Sequence, residues 1–222
     1  MNANDTPGDT IARATIYKAL AECYHLPEEA TLRHAGQLGR NLKGVCPLAA
    51  EAADRMETAM LSDGGLEELA IDHARLFVGP FALLTPPYGS VYLDGERLLM
   101  ADSTLAVSKC YREAGLEMAA GFNGTPDHIS AELEFMHFLV IRELAALEDG
   151  DLQRARYFRQ KQTSFLENHL AAWVPAFTRG VEEQAQTRFY QGLAAATRLF
   201  VESDFNRCRS DAPAVFSESA SV

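Results

Sequence analysis

The stretch "TPDHISAELEFMHFLVIRELAALEDG", residues 125–150, decides the fold class. Apolar residues recur in it every three or four positions, which is typical of an amphipathic helix. That stripe consists of Ile129, Leu133, Met136, Val140, Leu144 and Leu147. Further apolar residues lie off the stripe, so this helix is expected at the centre of a helical bundle. We expect it to begin with Thr125 as N-cap and Pro126 in the first turn.

The flanking sequence also has helical periodicity almost throughout. Predicted helices cover 10–24, 27–42, 47–61, 66–80, 102–116, 151–181 with an interruption near Pro175, and 187–205. The sequence therefore predicts an all-α, single-domain helical bundle. We expect a flexible N-terminus at 1–9, the helical domain at 10–208 and a flexible C-terminal tail at 209–222.

One long segment interrupts this pattern. Residues 80–101, "PFALLTPPYGSVYLDGERLLMA", contain three prolines and two glycines and show no helical period. Structureless loops of about 20 residues inside a domain are usually functional or disordered. The many apolar side chains in this one predict an ordered, functional loop. A β-hairpin around Asp94 and Gly95 is also expected.

Composition narrows the classes of function. The formal net charge is -11 and the isoelectric point about 5.0, which argues against nucleic acid and favours a basic partner. The four cysteines are scattered, as is typical of reduced thiols in a cytosol. No secretory signal is recognised at the N-terminus, and no apolar run is long enough for stable membrane insertion. We therefore expect a cytoplasmic protein.

Acidic residues and histidines on two predicted helices allow a metal-site hypothesis. Glu134 and His137 have the spacing of di-metal helical bundles, and Glu22 and His25 repeat it. Together they would make a di-metal carboxylate helical-bundle enzyme. Glu-x-x-His also arises often by chance in a chain rich in acids.

The start of the 125–150 helix allows other interpretations. Asp127, His128 and Glu132 have residue types suited to acid–base catalysis, although no catalytic motif accompanies them. Asp127 and His128 would equally suit a recognition surface beside the 80–101 loop. In a purely structural interpretation, Asp127 favours a helix N-terminus and His128 satisfies nearby backbone. The residues alone leave these alternatives open.

Three strings in fixed order resemble the TorD/DmsD family of redox-enzyme maturation chaperones. They are "LFVGP" with "TPPYGSVYLDGERLL", then "ADSTLAVSKCYREAGLEM", then "PDHISAELEFMHFL". The similarity is greatest to the DmsD-like branch and covers 72–139. The set at these spacings is specific, whereas a single Pro-Pro-aromatic or Asp-His pair would not be.

The resemblance implies an all-α cytoplasmic chaperone without catalytic activity or cofactor. Its partners would be the twin-arginine leader and the precursor of a molybdopterin-containing oxidoreductase. It would assist the loading of that enzyme's cofactor and proofread its export. A related type, NarJ, serves a redox subunit that is not exported. The resemblance leaves a monomer or a domain-swapped dimer open. It places leader binding at Leu76, Phe77, Pro87, Tyr88, Asp127 and His128.

A twin-arginine leader needs acids for its guanidinium groups and an apolar groove for its hydrophobic run. The candidate acids are Asp127 together with Glu132 or Asp102. The candidate groove consists of Phe77, Pro86, Pro87 and Tyr88. The chain departs from relatives at Tyr88, where many have tryptophan, and at His73, where DmsD-like relatives can carry an aromatic residue. These two positions bear on which leader is recognised.

Overall fold

The described residues form a bundle of α-helices with two π-helical segments. The computed structural model describes 7–62, 64–79, 83–94, 102–116 and 125–210. The α-helices are α1 Pro7–Cys23, α2 Glu29–Val45, α3 Pro47–Ser62, α4 Gly65–His73, α5 Gly89–Leu93, α6 Asp102–Glu113, α7 Ile129–Glu148, α8 Leu152–Phe165, α9 Ala171–Gln184 and α10 Arg188–Ser210. The π-helical segments are Ala74–Val78 and Leu166–Leu170. The described residues contain no β-strand, which confirms the all-α prediction. The predicted flexible ends lie largely outside the described residues.

The helices pack in a ring around one apolar core. Helix α7 packs on α1 and α8, α1 on α2, α2 on α3, α3 on α10, and α10 on α9. Gly192 lets α10 lie close to α3, because a Cβ there would lie 2.8 Å from the Ala52 carbonyl oxygen on α3. Helix α7 is thus one member of the ring rather than the helix at its centre, and its broad apolar surface is buried against α1, α8 and the π-helical segment 166–170.

Charged side chains also lie inside this core. The guanidinium of Arg13 on α1 binds both carboxylate oxygens of Asp204 on α10, at 2.6 and 2.8 Å, and neither residue is more than 2% exposed. Tyr17 donates to the same carboxylate at 2.7 Å. Burial raises the pKa of Asp204, but the charge and hydrogen bonds of Arg13 outweigh it and leave the pKa below its usual value. A buried charged network therefore joins the first and last helices.

Three local predictions were wrong. Residues 89–93 form the short helix α5, so the hairpin expected around Asp94 is not formed; Gly95 lies outside the described residues. Helix α7 begins at Ile129 with His128 as N-cap, rather than at Thr125 and Pro126. Pro175 does not interrupt α9; the helical register changes earlier, in the π-helical segment 166–170. This wider π-helical turn ends just before Ala171, whose carbonyl is the one that the Pro175 ring would crowd in a regular α-helix.

Candidate functional site

The 80–101 loop and the start of α7 meet through backbone pairing. Tyr88 and His128 form an isolated antiparallel bridge. The amide of Gly89 donates to the Asp127 carbonyl at 2.8 Å, and the amide of Ile129 donates to the Pro87 carbonyl at 2.9 Å. Two segments about 40 positions apart in sequence are therefore held together. They bring Tyr88, Asp127 and His128 into one site.

Asp127 lies under this site rather than on its surface. Its side chain is 1% exposed, and its Oδ2 accepts a hydrogen bond from the Ser90 amide at 2.9 Å. The carboxylate thus binds one of the free amides in the first turn of α5. Its Oδ1 has no hydrogen-bond partner. Asp127 therefore both fixes the loop and keeps one acceptor unused.

Tyr88 and His128 form the partly exposed face of the site. Their rings meet edge to face with centroids 5.3 Å apart. His128 also caps α7, because its Nδ1 accepts from the Ser130 amide at 3.2 Å. Burial lowers the pKa of His128 to about 4, with a further contribution from His25. At neutral pH this ring is uncharged and accepts hydrogen bonds.

The lowered pKa of His128 predicts an acid-sensitive fold. A histidine held neutral adds stability that is complete above its ordinary pKa of about 6.5 and is lost as the pH falls toward 4. Allowing for partial exposure, we expect a loss of about 2 kcal/mol in unfolding free energy between pH 7 and 4.5. Urea unfolding of wild type and His128→Asn across this range measures it. Asparagine caps helices without titrating, so its curve should fall less steeply; parallel curves would contradict the assignment.

Glu132 and Trp173 support the site from below. Glu132 is fully buried, and its Oε2 accepts from the Trp173 indole N–H at 3.1 Å. A Cβ on Gly89 would lie 3.0 Å from that indole nitrogen, so only glycine lets the loop approach this closely. Tyr92 stacks on the Trp173 ring at 5.6 Å. Burial, followed by the charge of Asp127, raises the pKa of Glu132 well above its ordinary value.

Most of the remaining predicted site residues are in the core. Leu76 and Phe77 lie in the π-helical segment 74–78 and are 0% and 6% exposed. Phe77 packs against Tyr24, His73, Phe177 and Tyr190. Pro86 and Pro87 are buried as well. The structure therefore places these four beneath the site, where they shape the loop, and not as an open apolar groove.

The secondary candidates divide between core and surface. His73 is 7% exposed and its Nε2 lies 3.2 Å from the Tyr24 carbonyl oxygen. Burial lowers its pKa, so it is a neutral core residue. Asp102 is exposed at the start of α6, and no described contact joins it to Asp127. Of the three secondary candidates, Glu132 lies nearest the bridge, against Gly89, and its side chain is inaccessible.

Three exposed apolar side chains lie on α4, on the π-helical segment 74–78 and on the loop. The Thr85 amide donates to the Leu76 carbonyl at 3.1 Å, which places the loop beside the π-helical segment. Here Ile71, Val78 and Leu84 are 52%, 60% and 41% exposed. Sequence reasoning missed these three, together with Ser90 and Trp173. The single tryptophan of the chain was the one available signal among them.

The proposed di-metal residues have other partners. Glu22 and Glu134 both bind the Lys18 ammonium at 2.8 Å. His137 uses its Nδ1 for the Ala14 carbonyl at 2.8 Å. Within the described ranges, no group of three or more metal-ligating side chains is suitably placed. The two carboxylates thus meet at a lysine, and nothing supports the di-metal hypothesis.

Comparison with known proteins identifies the family. Residues 43–179 match the family model described as nitrate reductase delta subunit. The Tat proofreading chaperone DmsD of Salmonella typhi is 37% identical over 153 residues, which cover 69% of this chain and 68% of the relative. The chaperone protein TorD of Aliivibrio salmonicida is 28% identical over 62% of each chain.

Two further similarities agree with this family. The selenate reductase assembly chaperone of Thauera selenatis is 40% identical over 88 residues, 40% of this chain and 44% of the relative. In structure, a chain from Archaeoglobus fulgidus assigned as a redox enzyme maturation protein aligns with a TM-score of 0.55 at 21% identity, covering 85% of this chain and 93% of that one. The structural likeness extends to the fold. The matches in sequence, with which the fold agrees, show that the chain belongs to the TorD/DmsD family.

Proposed function

We propose that this protein is a cytoplasmic chaperone that binds the twin-arginine leader of a molybdopterin-containing oxidoreductase precursor. It would assist cofactor loading and proofread export. The observation that carries the proposal is the bridge between Tyr88 and His128, which sets an aromatic pair above the Asp127 carboxylate. Relatives named as a Tat proofreading chaperone and a reductase assembly chaperone support the role.

The surface has the chemistry that such a leader requires. Arginine guanidinium groups stack on aromatic rings and are attracted to carboxylates, which Tyr88 and Asp127 supply. The apolar run after the arginines would lie along the exposed side chains Ile71, Val78 and Leu84. The net charge of -11 raises the rate at which a basic segment is captured. Within the described part of the chain, no helix is both apolar and long enough to span a bilayer.

A peptide titration tests the proposal. A synthetic leader with adjacent arginines should bind at least about tenfold more tightly than the same peptide with lysines, because guanidinium stacks on an aromatic ring such as Tyr88 and is more easily desolvated than ammonium beside the buried Asp127. Tyr88→Ala should weaken binding by a similar factor with little change in melting temperature. Isothermal titration calorimetry measures both. Equal affinity for the two peptides would contradict the proposal.

A matched tyrosine provides the control. Tyr157 on α8 is 40% exposed and donates its hydroxyl to the Glu113 carbonyl, away from the bridged loop. Tyr157→Ala should bind the arginine peptide as the wild type does. If both variants lost affinity equally, the loss would come from the surface in general and not from the site. If the client is a redox subunit that is not exported, the protein should bind a segment of the mature subunit and not the twin-arginine peptide.

A further inference from the structure

Two carboxyl groups flank the N-terminus of α7. With His128 as N-cap, Asp127 is the residue before the cap and Glu132 is the fourth helical residue. Side chains at these two positions pack against each other across a helix start, and they are usually both apolar. Here both are acids, at 1% and 0% exposure. Two buried carboxyl groups therefore occupy the positions at which a hydrophobic contact commonly closes a helix entry.

Each carboxyl has one bonded oxygen and one unbonded oxygen. Asp127 Oδ2 accepts from the Ser90 amide at 2.9 Å, and Glu132 Oε2 accepts from Trp173 at 3.1 Å. Asp127 Oδ1 and Glu132 Oε1 are buried without a hydrogen-bond partner. Among the described residues, neither carboxyl has a cationic partner. Two ionised acids in this environment would repel each other at high cost, whereas one retained proton removes that cost.

The surrounding elements do not supply a compensating charge. Helix α9 contributes Trp173, and α6 contributes Tyr111 and Cys110, whose pKa values are raised by burial. The pKa of Tyr88 is raised by burial and by Asp127. Burial lowers the pKa of His169, on the segment 166–170, and keeps this ring neutral. The same holds for His128, the N-cap of α7. In the part of the chain that is described, α1 and α8 make no charged contact with Glu132. None of these neighbours is therefore a cation that offsets a negative charge on Glu132.

We propose that Glu132 is protonated in the free protein and releases its proton when a guanidinium group binds beside Asp127. This inference rests on the proposed function. The Glu132 carboxyl O–H bond breaks, its electron pair remains on the carboxylate, and the proton passes to the buffer. The pair then carries two negative charges opposite two arginines. Glu132 is the residue that loses the proton, and Trp173 is a positioning residue that fixes its carboxyl.

Proton release makes binding depend on pH. Because coupling between two ligands is reciprocal, a guanidinium that expels a proton binds more tightly where the proton is scarce. Affinity for the arginine peptide should rise with pH through the titration range of Glu132, by at most about tenfold per pH unit for one proton. The bound arginine need not touch Glu132, because its positive charge stabilises the Glu132 carboxylate from a distance, beyond Asp127.

Calorimetry in two buffers measures the released proton directly. Wild type is titrated with the arginine peptide at pH 7 in phosphate and in Tris, whose ionisation enthalpies differ. We expect a fraction of a proton released by wild type and none by Glu132→Gln, whose amide can still accept from Trp173. Glu134→Gln is the matched control on the same helix and should release protons as wild type does. Trp173→Phe removes the donor to Glu132 and should shift the steep part of the affinity profile to higher pH.

The outcomes separate this inference from the function on which it rests. Tight arginine-peptide binding by wild type without proton release overturns the coupling and leaves the proposed function standing. Equal proton release by wild type and Glu132→Gln overturns the assignment to Glu132. Absence of peptide binding to folded wild type overturns the proposed function, and the coupling with it.

Discussion

Arg13→Ala is expected to lower the free energy of unfolding by about 3–5 kcal/mol, because it leaves a buried carboxylate without its cation. Asp204 would keep the Tyr17 hydrogen bond at 2.7 Å and lose both bonds to the guanidinium. Gln162 would also lose its Arg13 partner at 3.0 Å. Guanidinium denaturation followed by circular dichroism at pH 7 measures the change. A loss below about 1 kcal/mol would show that water reaches Asp204.

Two controls isolate the buried charge. Lys18 lies on the same helix but pairs with Glu22 at the surface, where its side chain is 44% exposed. Lys18→Ala should cost less than about 1 kcal/mol, since exposed ion pairs contribute little. The double variant Arg13→Met with Asp204→Leu should recover much of the stability lost by Arg13→Ala, because it removes both charges together.

Asp72→Ala is expected to lower the free energy of unfolding by about 2–4 kcal/mol, because two backbone amides and one hydroxyl lose their common acceptor, Oδ2. Asp72 lies at the end of α4 and is 1% exposed. Its Oδ2 accepts from the amides of Gln186 and Thr187 at 3.0 and 2.9 Å and from the Thr187 hydroxyl at 2.9 Å, just before α10 begins. Its Oδ1 binds Arg75 at 2.7 Å. Urea unfolding of the variant measures the loss.

The location of the damage provides a second measurement. Hydrogen exchange should accelerate at the amides of Gln186 and Thr187 more than in the middle of α7. Asp72→Asn keeps an acceptor oxygen for those amides and should lose about half as much stability as alanine. Equal losses for the two variants would show that the charge of Asp72, through Arg75, matters more than the cap.

The helices were predictable because their pattern is local. Periodicity predicted the long buried helix that contains Leu133 and Met136, and the long helices that precede and follow it in sequence. The ordered strings predicted the family. Asp127, His128 and Tyr88 were named from those strings, and the structure brings them together. How they act on a leader remains a prediction.

What could not be predicted depends on tertiary contacts. Leu76 and Phe77 follow one another in sequence, and only the π-helical turn shows that both face the core. A run of prolines gives no sign of whether its rings face water. Helix α5 forms where a hairpin was expected, because the Asp127 carboxylate and carbonyl bind its first amides. The pairing of Glu132 with Trp173 joins residues 41 positions apart, beyond the reach of any local pattern.

The bridge between Tyr88 and His128 closes a ring of chain whose two ends are fixed to each other. Lengthening or shortening the sequence inside such a ring costs little in chain entropy and leaves the anchored ends where they are. The bridge should therefore keep its geometry when the length of the chain between Tyr88 and His128 changes. Under the proposed function, we expect such length changes to alter which leader is bound without displacing Tyr88 or His128.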